Sequence, residues 1–513
     1  MATQLKKETE SIQTSNKWLE KFLCLIIILC PILDCASFIF RNFFQTTISV
    51  STIIRPIIPL CLLLYIFIKG NKKEKIILSL IAVAYIGYAA VHLLIYNGFH
   101  NGCAFGDIKL EMQYVFNFSF VMIYFIVFAF LFLKKDLATD KLYNSITIMA
   151  TIYVVSIVLA IIMGQSSYTY TETSTGYKGW IESGNSLSAI LIMSLFIMLQ
   201  RVREKKITIL VIVAVAAYLI TTIGTRTGLF GTFIAVGLYL LLEMFFSRNK
   251  KIIIAGLSLM TIAVLVVIFA GSKTIQRRQQ MNQSQYTIID ESTGEVGNMT
   301  GDMLRIKNKI LNNTLEEGYM SEAQKQSVLD LHEYTKSVKL AGNDTRTQQL
   351  MYNMYLMKNQ GSLIGIVFGN GYNNNEREMR MENELASLFL NFGLCGFILY
   401  ACPILAVLIY AIVFGIKKRK DITLSYVMNV AALILAIGLS WLSGYVLFAT
   451  SSMTVIVVVA TLLLVEIKKI KDKEKKVWYN SLMYKLENSD AVLLGAVNGV
   501  ITRGGTIWAR SNG

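Results

Sequence analysis

One arginine stands between two glycines in Gly224-Thr225-Arg226-Thr227-Gly228, and the sequence on either side is almost wholly apolar. Runs 207–225 and 229–246 leave room for no more than a tight turn, which the glycines permit, so Arg226 is expected where apolar surface meets water. A guanidinium is always charged and offers a planar fork of donors that matches a phosphate or pyrophosphate. The plainer use of such a residue is to snorkel and fix helix depth. With no acidic neighbour in the hairpin, anion binding is the sharper reading. Arg346 follows in Gly342-Asn343-Asp344-Thr345-Arg346. Asn343 or Asp344 there would cap a helix, and Arg346 in its first turn would add its charge to the positive helix end. A local ion pair to Asp344 is the equal alternative.

A carboxylate completes this set. Gly369-Asn370-Gly371-Tyr372 is a turn signal, and Met381-Glu382-Asn383-Glu384 comes just before the next apolar run. Glu382 at that boundary could act as a general base, although capping the incoming helix is the commoner use of such a residue. Glu384 is expected as a cap or surface group. Three further residues, Asp34, Arg55 and His92, lie inside or near the ends of early apolar runs, where ionisable groups are expensive and often functional. Asp34 and Arg55 are placed to pair across the first hairpin. His92 is equally suited to hydrogen-bonded packing, and His332 is expected on a solvated helix face. Lys178 to Asn185 (KGWIESGN) puts Trp180 and Asn185 at an interface, where an aromatic belt explains the tryptophan and sugar stacking is the alternative.

The elements that must position these groups are membrane helices. Over half the chain is apolar (54%) and only 16% is charged, far from the soluble balance. Runs of roughly 17–25 apolar residues recur, the length that crosses a bilayer. Spans are expected at 22–40, 48–69, 76–96, 113–133, 143–163, 185–200, 207–225, 229–246, 252–271, 385–415, 422–443 and 446–466. The fold class is therefore all-α and polytopic, with about twelve spans. Residues 1–21 form a polar cytoplasmic N-terminus without an evident cleavable signal, 22–271 the first nine spans, and 272–384 a large extracytoplasmic loop. Residues 385–466 hold the last three spans, and 467–513 a cytoplasmic tail. Run 385–415 is too long for one straight crossing, with Gly393, Gly396 and Pro403 as bend points. Inside the large loop, Ser321 to Val338 and Thr345 to Gln360 read as amphipathic helices and Gln279 to Gly301 as coil. The tail's apolar stretch Ala491 to Ile501 is too short to span.

The net charge of +16 argues for membrane orientation rather than nucleic acid. Lys72-Lys73, Lys134-Lys135, Arg201 to Lys206, Arg248 to Lys251, Lys417 to Lys420 and Lys468 to Lys476 fall at every second loop between spans, as the positive-inside rule requires. Both termini are then cytoplasmic, in the cytoplasmic membrane. Six of seven cysteines sit in or beside apolar segments, with only Cys103 in an outer loop, and three histidines make a His-rich metal site improbable.

Taken in order, these pieces resemble the bacterial O-antigen ligase and polymerase superfamily, membrane glycosyltransferases of GT-C type. The matching features are the arginine hairpin Gly224 to Gly228, the large outer loop, Arg346 in its second half, and the block Gly369 to Gly396 (GNGYNNNEREMRMENELASLFLNFGLCG). Gly179 to Ser188 (GWIESGNSLS) and Ser443 to Ser452 are similar to Gram-positive members. The resemblance implies transfer of glycan from an undecaprenyl-pyrophosphate-linked oligosaccharide donor to a glycan acceptor at the outer face, with neither metal nor cofactor. Arg226 and Arg346 would hold the pyrophosphate as it leaves, and Trp180, Asn185 and Asn383 would touch acceptor or glycan. A chain-length regulator or a flippase is the implied protein partner. Ligases carry histidine then asparagine where this chain has Glu382-Asn383, which tilts the expectation from ligase to a Gram-positive capsule or cell-wall polymerase. A transporter or flippase is the rival from another class, but it would place its charges deep in central helices.

Overall fold

Long apolar segments bounded by lysine, arginine, glycine and proline favour helices whose backbone bonds close on themselves, and the computed structural model is mostly helical. It describes residues 2–45, 50–100, 103, 107–135, 137–171, 174–203, 205–246, 254, 257–258, 261–262, 265–266, 269, 272, 275, 299, 301–338, 344–372 and 380–475. Most of expected span 252–271, nearly all of coil 279–301, the pair Gly342 and Asn343, and the tail stretch 491–501 lie outside the described residues. The chain divides into two compact units, 1–463 and 464–513.

The first unit begins with α1 (Ala2–Phe43), α2 (Val50–Lys69), α3 (Lys72–His100), α4 (Ile108–Lys135) and α5 (Thr139–Ile162). A small antiparallel hairpin of β1 (Tyr168–Tyr170) and β2 (Thr175–Tyr177) then precedes α6 (Gly184–Arg201), α7 (Lys206–Ile223) and α8 (Arg226–Phe246). Next come α9 (Gly301–Leu311), α10 (Glu322–Ser337), α11 (Thr345–Gln360) and α12 (Leu363–Phe368). The chain continues with α13 (Glu384–Leu390), α14 (Gly393–Tyr400), α15 (Cys402–Lys417), α16 (Leu424–Leu442) and α17 (Thr450–Lys475). Among the described residues, eight helices are long and apolar enough to cross a bilayer, or nine if α14 and α15 count as one bent span.

That bend has a specific cause. The two helices meet at 50°, and Pro403 sits in the first turn of α15. Proline has no N–H to give the Leu399 carbonyl four residues back, so that carbonyl needs another donor. Tyr85 of α3 supplies it at 2.7 Å, while Tyr88 bonds the Phe392 carbonyl at 2.5 Å. Around these hydroxyls Tyr88, Phe118, Phe392 and Tyr400 pack edge to face.

The helices expected between Ser321 and Gln360 are present. Ser321 and Gln324 form a reciprocal cap on α10. Together α9, α10 and α11 bury Met303, Ile306, Val328, Leu331, Tyr352 and Leu356 in a core of their own. Two expectations need correction. The span expected at 446–466 starts its helix only at Thr450, because the backbone of 446–448 is held elsewhere. Arg226 does not sit in a loop but opens α8. The hairpin β1–β2 lies in the loop expected between spans 143–163 and 185–200.

At the ends where the basic clusters lie, charges are paired. Lys141 bonds Glu20 at 2.5 Å, Arg203 grips both oxygens of Glu243, and Lys134 meets Glu74. The opposite helix ends carry the groups singled out by chemistry.

Candidate functional site

The Arg226 turn is built by its neighbours. Gly224 closes α7 in a left-handed conformation, and Thr225 caps α8 through a 3.1 Å bond from the Gly228 N–H. Thr225 is buried and shares a 2.7 Å bond with Ser188, one turn into α6 from Asn185. Arg226 is thus fixed at the first position of α8, with its side chain exposed. Among the described residues it has no hydrogen-bonding or ionic partner. An unpaired guanidinium over a positive helix end suits an anion.

Asp344 does cap the next helix of interest, accepting from the Thr347 N–H and hydroxyl at 3.3 and 3.0 Å. That occupies it, and Arg346 turns instead to Glu382, 36 residues away, with Nε 3.0 Å from Oε2. Both side chains stay open to solvent, 51% and 40% exposed, so this is a loose pair rather than a buried strut. Among the described residues only Nε is engaged, which leaves the two terminal nitrogens of Arg346 for a ligand. The Glu382 backbone is anchored in turn by Gln349, whose side-chain oxygen accepts its N–H at 3.0 Å.

Next in the chain, Asn383 caps α13 by accepting the Ala386 N–H at 3.2 Å. Glu384 overturns its expected place on the surface: it is fully buried. Its two oxygens accept the N–H groups of Val446, Leu447 and Phe448 at 2.7–2.8 Å. Burial pushes the Glu384 carboxyl up to about 8, against the pull of those donors toward ionisation. This grip makes the loop between α16 and α17 turn sharply. Gly444 (φ +66°) and Tyr445 (φ +56°) are both left-handed, and a side chain on Gly444 would collide with the Glu382 carbonyl oxygen. Asn185 ties the same loop to α6 by donating to the Ser443 carbonyl at 2.7 Å. Loop 443–448 therefore has Glu382 on one side.

On its other side lies a cavity of about 590 Å³, walled by α1, α2, α4, segment 181–186 and residues 445–454. Asp34 and Arg55 do pair here as expected, 2.5 Å apart. Ser451 and Tyr153 each donate to Asp34 at 2.6 Å, and Arg55 also reaches Thr450 and Ser451. Lys178 lines the cavity as well, and partial burial draws its ammonium below the usual lysine range. Asn185 is a lining residue. Trp180 is not: it is half-buried, with its indole nitrogen turned inward.

His92 is a packing residue. Its Nδ1 lies 2.6 Å from the Phe368 carbonyl, which can only accept, so Nδ1 carries a hydrogen. Nε2 faces buried Glu111 at 2.9 Å, and both Glu111 oxygens accept the Tyr372 N–H. The pair pins turn 369–372 to α3 and α4. Gly371 there is left-handed and pressed against the Tyr96 ring, where no side chain fits.

The structure thus joins Arg346 to Glu382 and places Asn185 near both the cavity and the Arg226 turn. No described bond links Arg226 to Arg346 or Glu382. Sequence reasoning missed the cavity and the Glu384 latch. Gln113 and Asn117, two amides at the start of an otherwise apolar run, were the signal available for the cavity.

No curated protein and no solved structure matches the chain. The sequence profile of O-antigen ligase like membrane proteins matches residues 16–470, nearly the whole of it. The chain is a multi-pass member of the O-antigen ligase-like membrane protein family.

Proposed function

We propose that the protein is a glycosyltransferase that polymerises a capsular or cell-wall polysaccharide, joining undecaprenyl-pyrophosphate-linked repeat units on the outer face of the cytoplasmic membrane of a Gram-positive bacterium. The observation that carries this reading is the open Arg346–Glu382 pair, which sets a carboxylate beside a guanidinium with unused donors. Family membership supports glycan transfer as the kind of reaction.

In this reading a hydroxyl of one lipid-linked unit attacks the anomeric carbon of another. The new C–O bond forms as the bond from that carbon to the pyrophosphate breaks, with inversion and without a metal. The bonding pair leaves with the undecaprenyl pyrophosphate, whose charge Arg226 and Arg346 neutralise. Glu382 accepts the hydroxyl's proton. The topology that goes with it has about twelve spans, both termini cytoplasmic, and segment 272–384 outside. Transfer of finished chains to a wall or lipid acceptor is the second reading. The glutamate at 382, where ligases carry histidine, favours the first.

Deleting the protein from its host and sizing the undecaprenyl-linked glycans tests this. Single repeat units accumulating on the outer leaflet are the expected result. Full-length chains still on the carrier would replace polymerisation by ligation. Units trapped on the inner leaflet would make the protein a flippase.

A further inference from the structure

The cavity below loop 443–448 excludes Arg226, Arg346 and Glu382 from its walls, so it is a place apart from the proposed chemistry. Its volume falls within the roughly 300–1,000 Å³ of small-molecule sites. Its charged groups are partly engaged. Arg55 is held by Asp34, Arg41 by Glu182 at 2.9 Å, and Lys178 donates to the Glu182 carbonyl at 2.7 Å. Two neutral amides line it as well. Gln113 and Asn117 stand one turn apart on α4, and neither side chain has a partner among the described residues. Asn117 is half-buried, so part of its water is gone without replacement. Tyr445 lines the same wall in a left-handed conformation rarely adopted by an aromatic residue, held there by the Glu384 latch on the next three amides.

Unpaired amides and an aromatic side chain match hydroxyls and the flat face of a sugar ring. We propose that this cavity is a saccharide-binding subsite, which takes the terminal sugars of the acceptor glycan. This assignment of the acceptor rests on the function proposed above. Loop 443–448 meets the cavity through Tyr445 and Phe448 and meets Glu382 through Gly444. The loop is thus shared between the saccharide subsite and the carboxylate that takes the proton. Asn117 and Gln113 recognise hydroxyls in this scheme, and the Asp34–Arg55 pair lines the same cavity.

The test uses the full-length protein in lipid nanodiscs and, as probe, single repeat units cut from the host's own surface polysaccharide by partial acid hydrolysis. Equilibrium dialysis should show wild-type binding. Asn117→Ala with Gln113→Ala should weaken it about tenfold or more, whereas Arg226→Lys should bind as wild type. Both amides are at least partly exposed, and thermal melting of the double variant checks that it is folded. No binding to wild type, or undiminished binding to the folded double variant, overturns the subsite. The deletion strain separates the two ideas. Saccharide binding with normal glycans in the deletion strain would keep the subsite and remove the polymerase. Accumulated single units with no saccharide binding would do the reverse.

Discussion

Two of the arginine–carboxylate pairs within the first unit are made for opposite purposes. Asp34–Arg55 is about one-fifth exposed, and three hydroxyls from α5 and α17 fill out its bonding. Arg346–Glu382 is half open, joined by one bond, and backed by Gln349 only through the main chain. The first is saturated, so it holds helices and shapes a cavity. The second has spare donors and solvent access, which is what a group needs to meet a substrate and let it go. The same two functional groups therefore serve architecture or chemistry according to how many of their hydrogen bonds the protein itself consumes.

This contrast can be broken experimentally. The largest effect should follow Asp34→Ala, which strands Arg55 among apolar helices. A loss of about 3–5 kcal/mol is expected, read as a collapse in melting temperature and membrane yield. A stable Asp34→Ala protein would end the architectural reading. Glu382→Gln should instead cut turnover about a hundredfold while leaving lipid-donor binding nearly intact. Equal losses in turnover and binding would assign Glu382 to positioning. Arg226→Lys should reduce glycan output about tenfold or more at normal protein level, since a point ammonium cannot reproduce a bidentate contact. Normal output from a well-expressed variant would sink the anion role. For stability the order reverses: Glu382→Gln should shift unfolding by less than about 1 kcal/mol, because the pair is exposed. A separate test concerns pH. A glutamate that titrates near 4.5 when unfolded is raised to about 8 at Glu384. The contribution of this group is thus full below about 4.5 and is lost as pH rises through 8. Melting temperature should fall over that interval in wild type and fall less in Glu384→Gln; parallel slopes would exclude Glu384 as the source.

Much of the fold was legible because hydropathy and loop charge read directly onto membrane helices. The tight hairpin at Arg226, the Asp34–Arg55 pair, the helix cap at Asp344 and the break near Pro403 all depend on residues close in sequence or on simple charge complementarity. The failures share another cause. Glu384 reads as a cap because Asn383-Glu384 precedes an apolar helix; its burial depends on amides 62–64 residues further on. That contact also moves the start of α17 to Thr450. The cavity draws its walls from several elements, and Gln113 and Asn117 look like an ordinary polar start to a span when α4 is read alone. The partner of Arg346 was likewise decided by where a distant segment returns.

The distance between Arg55 and its partners on α17 sets a timetable. Thr450 and Ser451 lie 395 and 396 residues beyond it. At about 5–20 residues per second, the ribosome needs roughly 20–80 s after Arg55 to make them. Through that interval the arginine lies in the newly inserted helices without two of its acceptors. The nascent protein thus carries an incompletely satisfied charge until its last span arrives. A chain stalled before Thr450 carries Arg55 without two of its acceptors, and the deficit ends only once Thr450 and Ser451 have been made.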